Sequence, residues 1–198
     1  GECKLREPIV TGFLVGLVLG DVKTGLIIGA ELQLMWMGAV GIGPVAQLDI
    51  GIGGTIGTAV AITEVPDPIF IEKILGDGIA IVPTEGKVVS PVDGTVSKVA
   101  ETGHIYAVTS DNGVEVVIHV GLETVALNGK CFQIHVKEGD KVKAGDLLAD
   151  ADLEFIKETG RNSITPIVIG SSLEGKELVC EEGEVQAGKT VIMEIKQK

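Results

Sequence analysis

From Asp67 to the C-terminus, turn signals cut the chain into apolar runs of strand length, roughly 3–10 residues, leaving no room for a helical bundle. The signals are Gly76-Asp77-Gly78, Pro91-Val92-Asp93-Gly94, Asp111-Asn112-Gly113 and Asn128-Gly129. Asn-Gly and Asp-Gly pairs supply the positive φ angles of tight hairpins. Between them the spacing predicts strands over 78–82, 86–89, 94–99, 104–109, 114–120, 141–142 with 147–149, 164–168 and 190–195. Asp152 to Glu158 is the one convincing helical stretch. An internal echo is also present. Glu138-Gly139-Asp140-Lys141-Val142-Lys143-Ala144-Gly145-Asp146-Leu147 parallels Glu182-Gly183-Glu184-Val185-Gln186-Ala187-Gly188-Lys189-Thr190-Val191. Repeated units of this kind point to a mainly β barrel or sandwich built from two similar halves.

The front of the chain has another character. Ile9 to Gly20 is an uncharged apolar run, ended by Asp21 and Lys23. Gly25 to Ala46 is a second apolar stretch, carrying Glu31 and Gln33. A simple spanning helix needs about 20 mostly apolar residues. The first run is too short alone and the second holds a carboxylate. Gly12, Gly16 and Gly20 recur at every fourth position, which on a helix makes a smooth stripe for close helix approach. A buried, glycine-rich segment of a soluble fold fits the same residues. The reading adopted is a membrane-like, helical segment over 1–57, followed by a β domain over 58–198.

The formal net charge is -12 and the pI near 4.6. A surface that acidic repels phosphate backbones, which excludes nucleic acid as a partner. It suits docking onto a basic patch. Cys3, Cys131 and Cys180 are odd in number and without metal-ligand spacing, as expected for thiols in a reducing compartment. No cleavable leader is evident.

His104 and His119 each sit in a β-type apolar run. Imidazole can be neutral and nucleophilic near neutral pH, so two on adjacent strands can form one reaction centre. Equally, each can be a separate hydrogen-bonded histidine at a strand edge. Strand alternation puts Glu115, Val117, His119 and Gly121 on one face, with Val116, Ile118 and Val120 on the other.

From Glu64 onward the chain resembles the glucose-type IIA component of the bacterial phosphoenolpyruvate:sugar phosphotransferase system. The carriers are Glu64-Val65-Pro66-Asp67, Gly76-Asp77-Gly78-Ile79-Ala80-Ile81, Ser90-Pro91-Val92-Asp93-Gly94-Thr95-Val96, Glu101-Thr102-Gly103-His104, and Gly113-Val114-Glu115 running on to Ile118-His119-Val120-Gly121. Thr165-Pro166 and Ala187-Gly188 follow in order. The resemblance implies the duplicated hybrid-motif fold. It implies that His119 takes a phosphoryl group from the phosphocarrier protein HPr and passes it to a IIB domain for sugar uptake. It implies further that His104 is the second active-site histidine and Thr102 the active-site hydroxyl. Asp67 and Glu123 match acidic positions at the rim, where aspartate is more usual than Glu123. Phe70, Val117 and Val120 are expected to meet partners. Some members carry phenylalanines around this site, where this chain has Ala100, Val117 and Val120. His135 matches no site position.

The chemistry suits these residue types. Phosphoryl transfer passes through a loose transition state with charge spread over three equatorial oxygens. A neutral ring nitrogen of His119 attacks and leaves well, while an N–H of His104 and the hydroxyl of Thr102 can donate to those oxygens. An apolar collar that includes Val117 would keep water from the phosphohistidine. No metal or cofactor is called for. Cytoplasmic location follows, with membrane association through residues 1–57, and regulated target proteins are further candidate partners.

Residues 1–62 resemble a different component, the IIC membrane subunit of mannose-type permeases. The carriers are Arg6-Glu7-Pro8-Ile9-Val10, Gly20-Asp21-Val22-Lys23-Thr24-Gly25, Ile27-Ile28-Gly29-Ala30-Glu31-Leu32-Gln33 and Leu48-Asp49-Ile50-Gly51. The chain thus reads as a IIC fragment fused to a IIA domain. At the junction, Gly57-Thr58-Ala59-Val60-Ala61-Ile62-Thr63 is expected to stand in for the first strand of the IIA domain, closing a sheet edge that would otherwise stay open.

Three rivals are weighed. A biotinyl or lipoyl carrier needs a lysine at an exposed hairpin tip beside Met or Asp-Ala, and none is found. A zinc peptidase needs a His-x-His pair, and Ile118-His119-Val120 has no second histidine two residues away. Zinc bridging His104 and His119 would be adventitious or a partner-dependent contact. A purely regulatory binding module would use the same face as phosphate relay.

Overall fold

The structure, a computed structural model, describes residues 50–51 by backbone alone, and residues 57–171 and 173–197 in full. All of these lie in the unit Gln47–Lys198. Of the membrane-like, helical segment expected over 1–57, residues 1–49 and 52–56 fall outside the described residues, while 50–51 and 57 are strand rather than helix. Among the described residues, no helix is long and apolar enough to cross a membrane.

The fold is mainly β. Strands β1 (Ile50–Gly51), β2 (Gly57–Ala61), β3 (Gly78–Pro83), β4 (Lys87–Val89), β5 (Gly94–Val99), β6 (Ile105–Ser110) and β7 (Glu115–His119) come first. They are followed by β8 (Phe132–Ile134), β9 (Lys141–Val142), β10 (Leu147–Ala151), β11 (Thr165–Ile169), β12 (Lys176–Cys180), β13 (Gly183–Val185) and β14 (Val191–Gln197). One sheet has the order β13-β2-β3-β11-β7-β6-β5-β9, and two three-stranded sheets have the orders β4-β10-β8 and β1-β14-β12. Two short helices interrupt the strands, α1 (Pro68–Ile71) and α2 (Leu153–Glu158), each capped by an aspartate side chain: Asp67 accepts from Ile69 N–H and Asp152 from Phe155 N–H.

Alternation along the strands decides which side chains go where. Ile79, Ile81, Tyr106, Val108, Val116, Ile118, Ile167 and Ile169 project into the main core with Leu148, Ile192 and Met193. Burying an aliphatic side chain of this size is worth roughly 1.5–3 kcal/mol, so this interior sets the register of the long sheet. The opposite face of that sheet carries a smaller cluster of Ile62, Val65, Phe70, Ala80, Leu122, Ile164 and Val168, with Val60 and Val117 packed against it. The functional side chains stand over this second cluster.

The expected first strand is present. Residues 57–61 pair antiparallel with β3 on one side and β13 on the other, from Ala61↔Ile79 to Gly57↔Pro83 and from Gly183↔Ala59 to Val185↔Gly57. It is an interior strand rather than an edge, and Ile62–Glu64 turn into one round of 3₁₀ helix. The internal echo also has a spatial counterpart. The two Ala-Gly turns meet, and a Cβ built on Gly188 would lie 3.1 Å from the Cα of Gly145. The close approach favours glycine at 188, and both turns use the positive φ, 92° at Gly145 and 64° at Gly188, that glycine adopts without strain.

Candidate functional site

Strand register sets the site. Residues β6 and β7 pair with Ile105 opposite His119, and the His104 carbonyl accepts from Val120 N–H at 2.8 Å. His104 leads into β6 from a tight turn, closed by Ala100 N–H to Ile105 O at 2.9 Å and Gly103 N–H to Ala100 O at 2.8 Å. The two imidazoles are thereby brought together, with ring centroids 5.3 Å apart and planes nearly perpendicular at 85°. Phe70 of α1 meets His119 edge-on from another side, at 5.5 Å and 71°.

Hydrogen bonds fix the protons. His119 Nδ1 lies 2.8 Å from the carbonyl oxygen of Gly121. A carbonyl only accepts, so Nδ1 carries the hydrogen and Nε2 keeps its lone pair. That carbonyl is aimed by a glycine at φ 70°, in the left-handed region. His104 Nδ1 is 2.6 Å from Thr102 Oγ1. With the hydroxyl donating, His104 presents an N–H at Nε2. In that arrangement the site pairs one ring offering a lone pair with one offering a donor.

Both rings are driven toward the neutral form. Burial lowers the pKa of His104, and the neighbouring His119 lowers it further. Burial also lowers that of His119, opposed by the Gly121 carbonyl and then by the Asp67 carboxylate. Asp67 is half-buried, and it both caps α1 and places negative charge near His119.

The sequence expectations divide here. His104, His119 and Thr102 converge. Val117 is half-buried and packs with Phe70 in the second cluster. Glu123 is exposed at the rim. Two readings need correction. Val120 is 2% exposed and lies in the main core, because alternation turns it away from the His119 face, so it offers nothing to a partner. Phe70 is 3% exposed and forms a wall against the His119 ring rather than a contact surface. Thr102 Oγ1 lies 2.6 Å from His104 Nδ1, which ties the hydroxyl to that ring, and its second hydrogen-bonding direction stays available to a phosphate oxygen. Exposed apolar residues that the sequence reading passed over do lie beside the site: Ile69, Ile71, Ile74 and Leu75, in α1 and the turn after it, with Ile74 65% exposed. Their density in a turn region was the available signal. Among the described residues, no group of three or more His, Cys, Asp or Glu is placed to hold a metal ion.

Residues 54–174 match the family described as phosphoenolpyruvate-dependent sugar phosphotransferase system, EIIA 1. The chain belongs to this family. The glucose-specific EIIA component of Bacillus cereus is 42% identical over 159 residues, covering 80% of this chain and 96% of the relative. That of Buchnera aphidicola is 43% identical over 137 residues, covering 69% and 85%. The glucose-specific EIICBA component of Streptococcus pneumoniae is 43% identical over 70% of this chain, which spans 19% of that longer protein. In three dimensions the EIIA fold matches the glucose permease IIA of Mycoplasma capricolum with a TM-score of 0.68 at 33% identity, covering 72% of this chain and 93% of that one. Residues 1–82 also match the family described as PTS system sorbose-specific IIC component. The chain therefore joins a stretch similar to a IIC component to an EIIA domain, which is a phosphotransferase and a phosphoryl-relay component of a sugar phosphotransferase system.

Proposed function

We propose that His119 is the phosphoryl acceptor and that Nε2 is the attacking atom. The carrying observation is the bond from His119 Nδ1–H to the Gly121 carbonyl, which leaves Nε2 as the one lone pair of the ring. In the transfer, a P–N bond forms at Nε2 as the bond from phosphorus to the donor protein breaks. No proton leaves Nε2, because none is there. The Gly121 carbonyl and the Asp67 carboxylate stabilise the positive charge the ring acquires. His104, held by Thr102, donates from Nε2 to an equatorial oxygen in the loose transition state. The reverse transfer needs no rearrangement, which suits a relay.

The donor in this reading is HPr and the acceptor a IIB domain of a sugar permease. Exposed Ile69, Ile71, Ile74 and Leu75 beside the site support a protein partner, since a small substrate has no use for an apolar apron. Glu123 and Asp67 add negative charge for a basic docking face. Regulated target proteins would use the same surface. The domain division at 57/58, a cytoplasmic location for residues 58–198 and membrane association through residues 1–57 complete the proposal. Flotation of the full chain with lipid vesicles tests the last.

The deciding experiment is incubation with phosphoenolpyruvate, enzyme I and HPr. The expected product is an acid-labile, base-stable phosphate on the protein. His119→Ala abolishes it, while His104→Ala still accepts phosphate and passes it on poorly. Label persisting in His119→Ala overturns the assignment.

A further inference from the structure

We propose that Arg161, which stands outside the ring of residues around the imidazoles, is a positioning residue for phosphoryl transfer at His119. The inference rests on the reading of His119 as acceptor. Its Nε–H donates to the carbonyl of Glu123 at 3.0 Å, and Nη1 donates to the carbonyl of Thr159 at 3.3 Å. One guanidinium therefore ties the end of α2 to the turn that follows β7. A planar fork with fixed donor directions is suited to holding two carbonyls at once.

That turn is the part of the site that sets the His119 tautomer. It runs from Val120 to Thr124. Gly121 has φ 70°, and Glu123 has φ 56° and ψ 17°, a left-handed conformation that is uncommon for a residue with a side chain. Four bonds supply the constraint. Leu122 N–H donates to the carbonyl of Asn162 at 2.8 Å, Thr124 Oγ1 donates to the carbonyl of Val120 at 2.6 Å, and the Glu123 carbonyl accepts from Arg161 Nε–H at 3.0 Å and from Ala126 N–H at 3.2 Å. Two of the four involve the segment Arg161-Asn162. A Cβ on Gly121 would come within 3.0 Å of the Asn162 carbonyl, so the turn rests directly on that segment.

The consequence is mechanical. Without the Arg161 donor, the Glu123 carbonyl keeps only the longer bond from Ala126 N–H, Glu123 relaxes from its left-handed conformation, and the Gly121 carbonyl is no longer firmly aimed at His119 Nδ1. The ring then populates the other neutral tautomer, with hydrogen on Nε2, which cannot attack phosphorus. Displacing a reacting group by about 1 Å is enough to cost a hundredfold in rate. Arg161 touches neither phosphate nor partner in this account, so its loss lowers the turnover for phosphorylation and leaves the donor concentration for half-maximal rate unchanged.

The test uses the full chain and two variants, Arg161→Ala and Arg161→Met, the second keeping an unbranched apolar stem without donors. Imidazole nitrogen chemical shifts report the His119 tautomer without any partner present. Phosphorylation from phospho-HPr reports rate. The expected result is a single Nδ1–H tautomer in the parent, a mixture in both variants, and a maximal rate lowered by about ten- to a hundredfold at unchanged half-saturation. An unaltered tautomer in Arg161→Ala overturns the inference. So does a parent-like Arg161→Met, which would assign any effect to stem packing, or a change confined to half-saturation, which would make Arg161 a docking charge. Failure of the parent itself to take label would instead sink the reading of His119 as acceptor, and the tautomer measurement would still judge Arg161.

Discussion

At His119, one carbonyl and one carboxylate oppose the burial that keeps the ring neutral, and burial wins. The same direction holds for His104. In the unfolded chain both rings take a proton at the ordinary histidine value of 6.5. In the folded protein they take it only at lower pH. Just below the ordinary value, therefore, the unfolded state binds more protons, and stability must fall as pH falls through that window and be complete above it. A protonated His119 has no lone pair at Nε2, so the phosphorylation rate drops with the same folded-state titration. We expect a midpoint for activity below 6.5, matched by the proton chemical-shift titration of the His119 ring; a midpoint at or above 6.5 contradicts the account. The pair of histidines was legible from the chain because strand alternation and sequence motif agree on it. The Gly121 carbonyl was not, since every residue has a carbonyl and only the turn's dihedrals select this one. Arg161 was equally hidden, because forty-one residues of chain lie between it and His119 and nothing in that interval marks the return.

Among the elements, α1 and the turn behind it join the buried wall to the exposed apron. Pro68 and the Asp67 cap start the helix, Phe70 points inward against His119, and Ile69, Ile71, Ile74 and Leu75 are left outside. An exposed position away from packing tolerates a charge with little change, within about 0.5 kcal/mol. Ile74→Asp should thus keep the thermal midpoint of the parent, yet weaken docking by about tenfold, equivalent to about 1.4 kcal/mol. Phosphorylation rates at varied donor concentration read this as a shift in half-saturation alone; a lower maximal rate with unchanged half-saturation would place the apron outside the docking face. Element boundaries followed the sequence wherever one strand face is fully apolar. Strand β5 matches its expected range, 94–99, and Asn112-Gly113 forms the turn between β6 and β7 with Gly113 at φ 79°. Strands β8, β12 and β13 went unseen. Two have three residues, and Lys176–Cys180 has only half-buried and exposed positions, with no fully buried apolar face. Helix α1 was missed because four residues are too few to establish a helical period.

For the whole molecule, the junction decides how much chain an EIIA domain of this kind requires. The two family matches overlap over 54–82, and this interval contains β2 and all of β3 but its last residue, Pro83. The end of the IIC-like stretch is therefore also load carried by the long sheet. Strand β2 lies between β13 and β3, and further upstream Ile50 pairs with Met193 and Gly51 with Val191 of β14. Removing everything before Thr63 would take out Ala59 from the main core, uncover Ile79 and Ile81 along β3, and leave β13 without β2, its only partner in the sheet among the described residues. Lost apolar contact and backbone pairing on that scale amount to several kcal/mol, comparable with the roughly 5–15 kcal/mol that holds a domain folded. A chain beginning at Gln47 keeps every described strand. We expect it to melt in one cooperative transition and to take phosphate on His119 at the rate of the full chain. The chain beginning at Thr63 should lack that transition and collect in the insoluble fraction, its β3 edge open for intermolecular pairing. Melting curves by circular dichroism decide between them: equal midpoints for the two truncations would mean that β2 is an accessory to the sheet rather than its missing first strand.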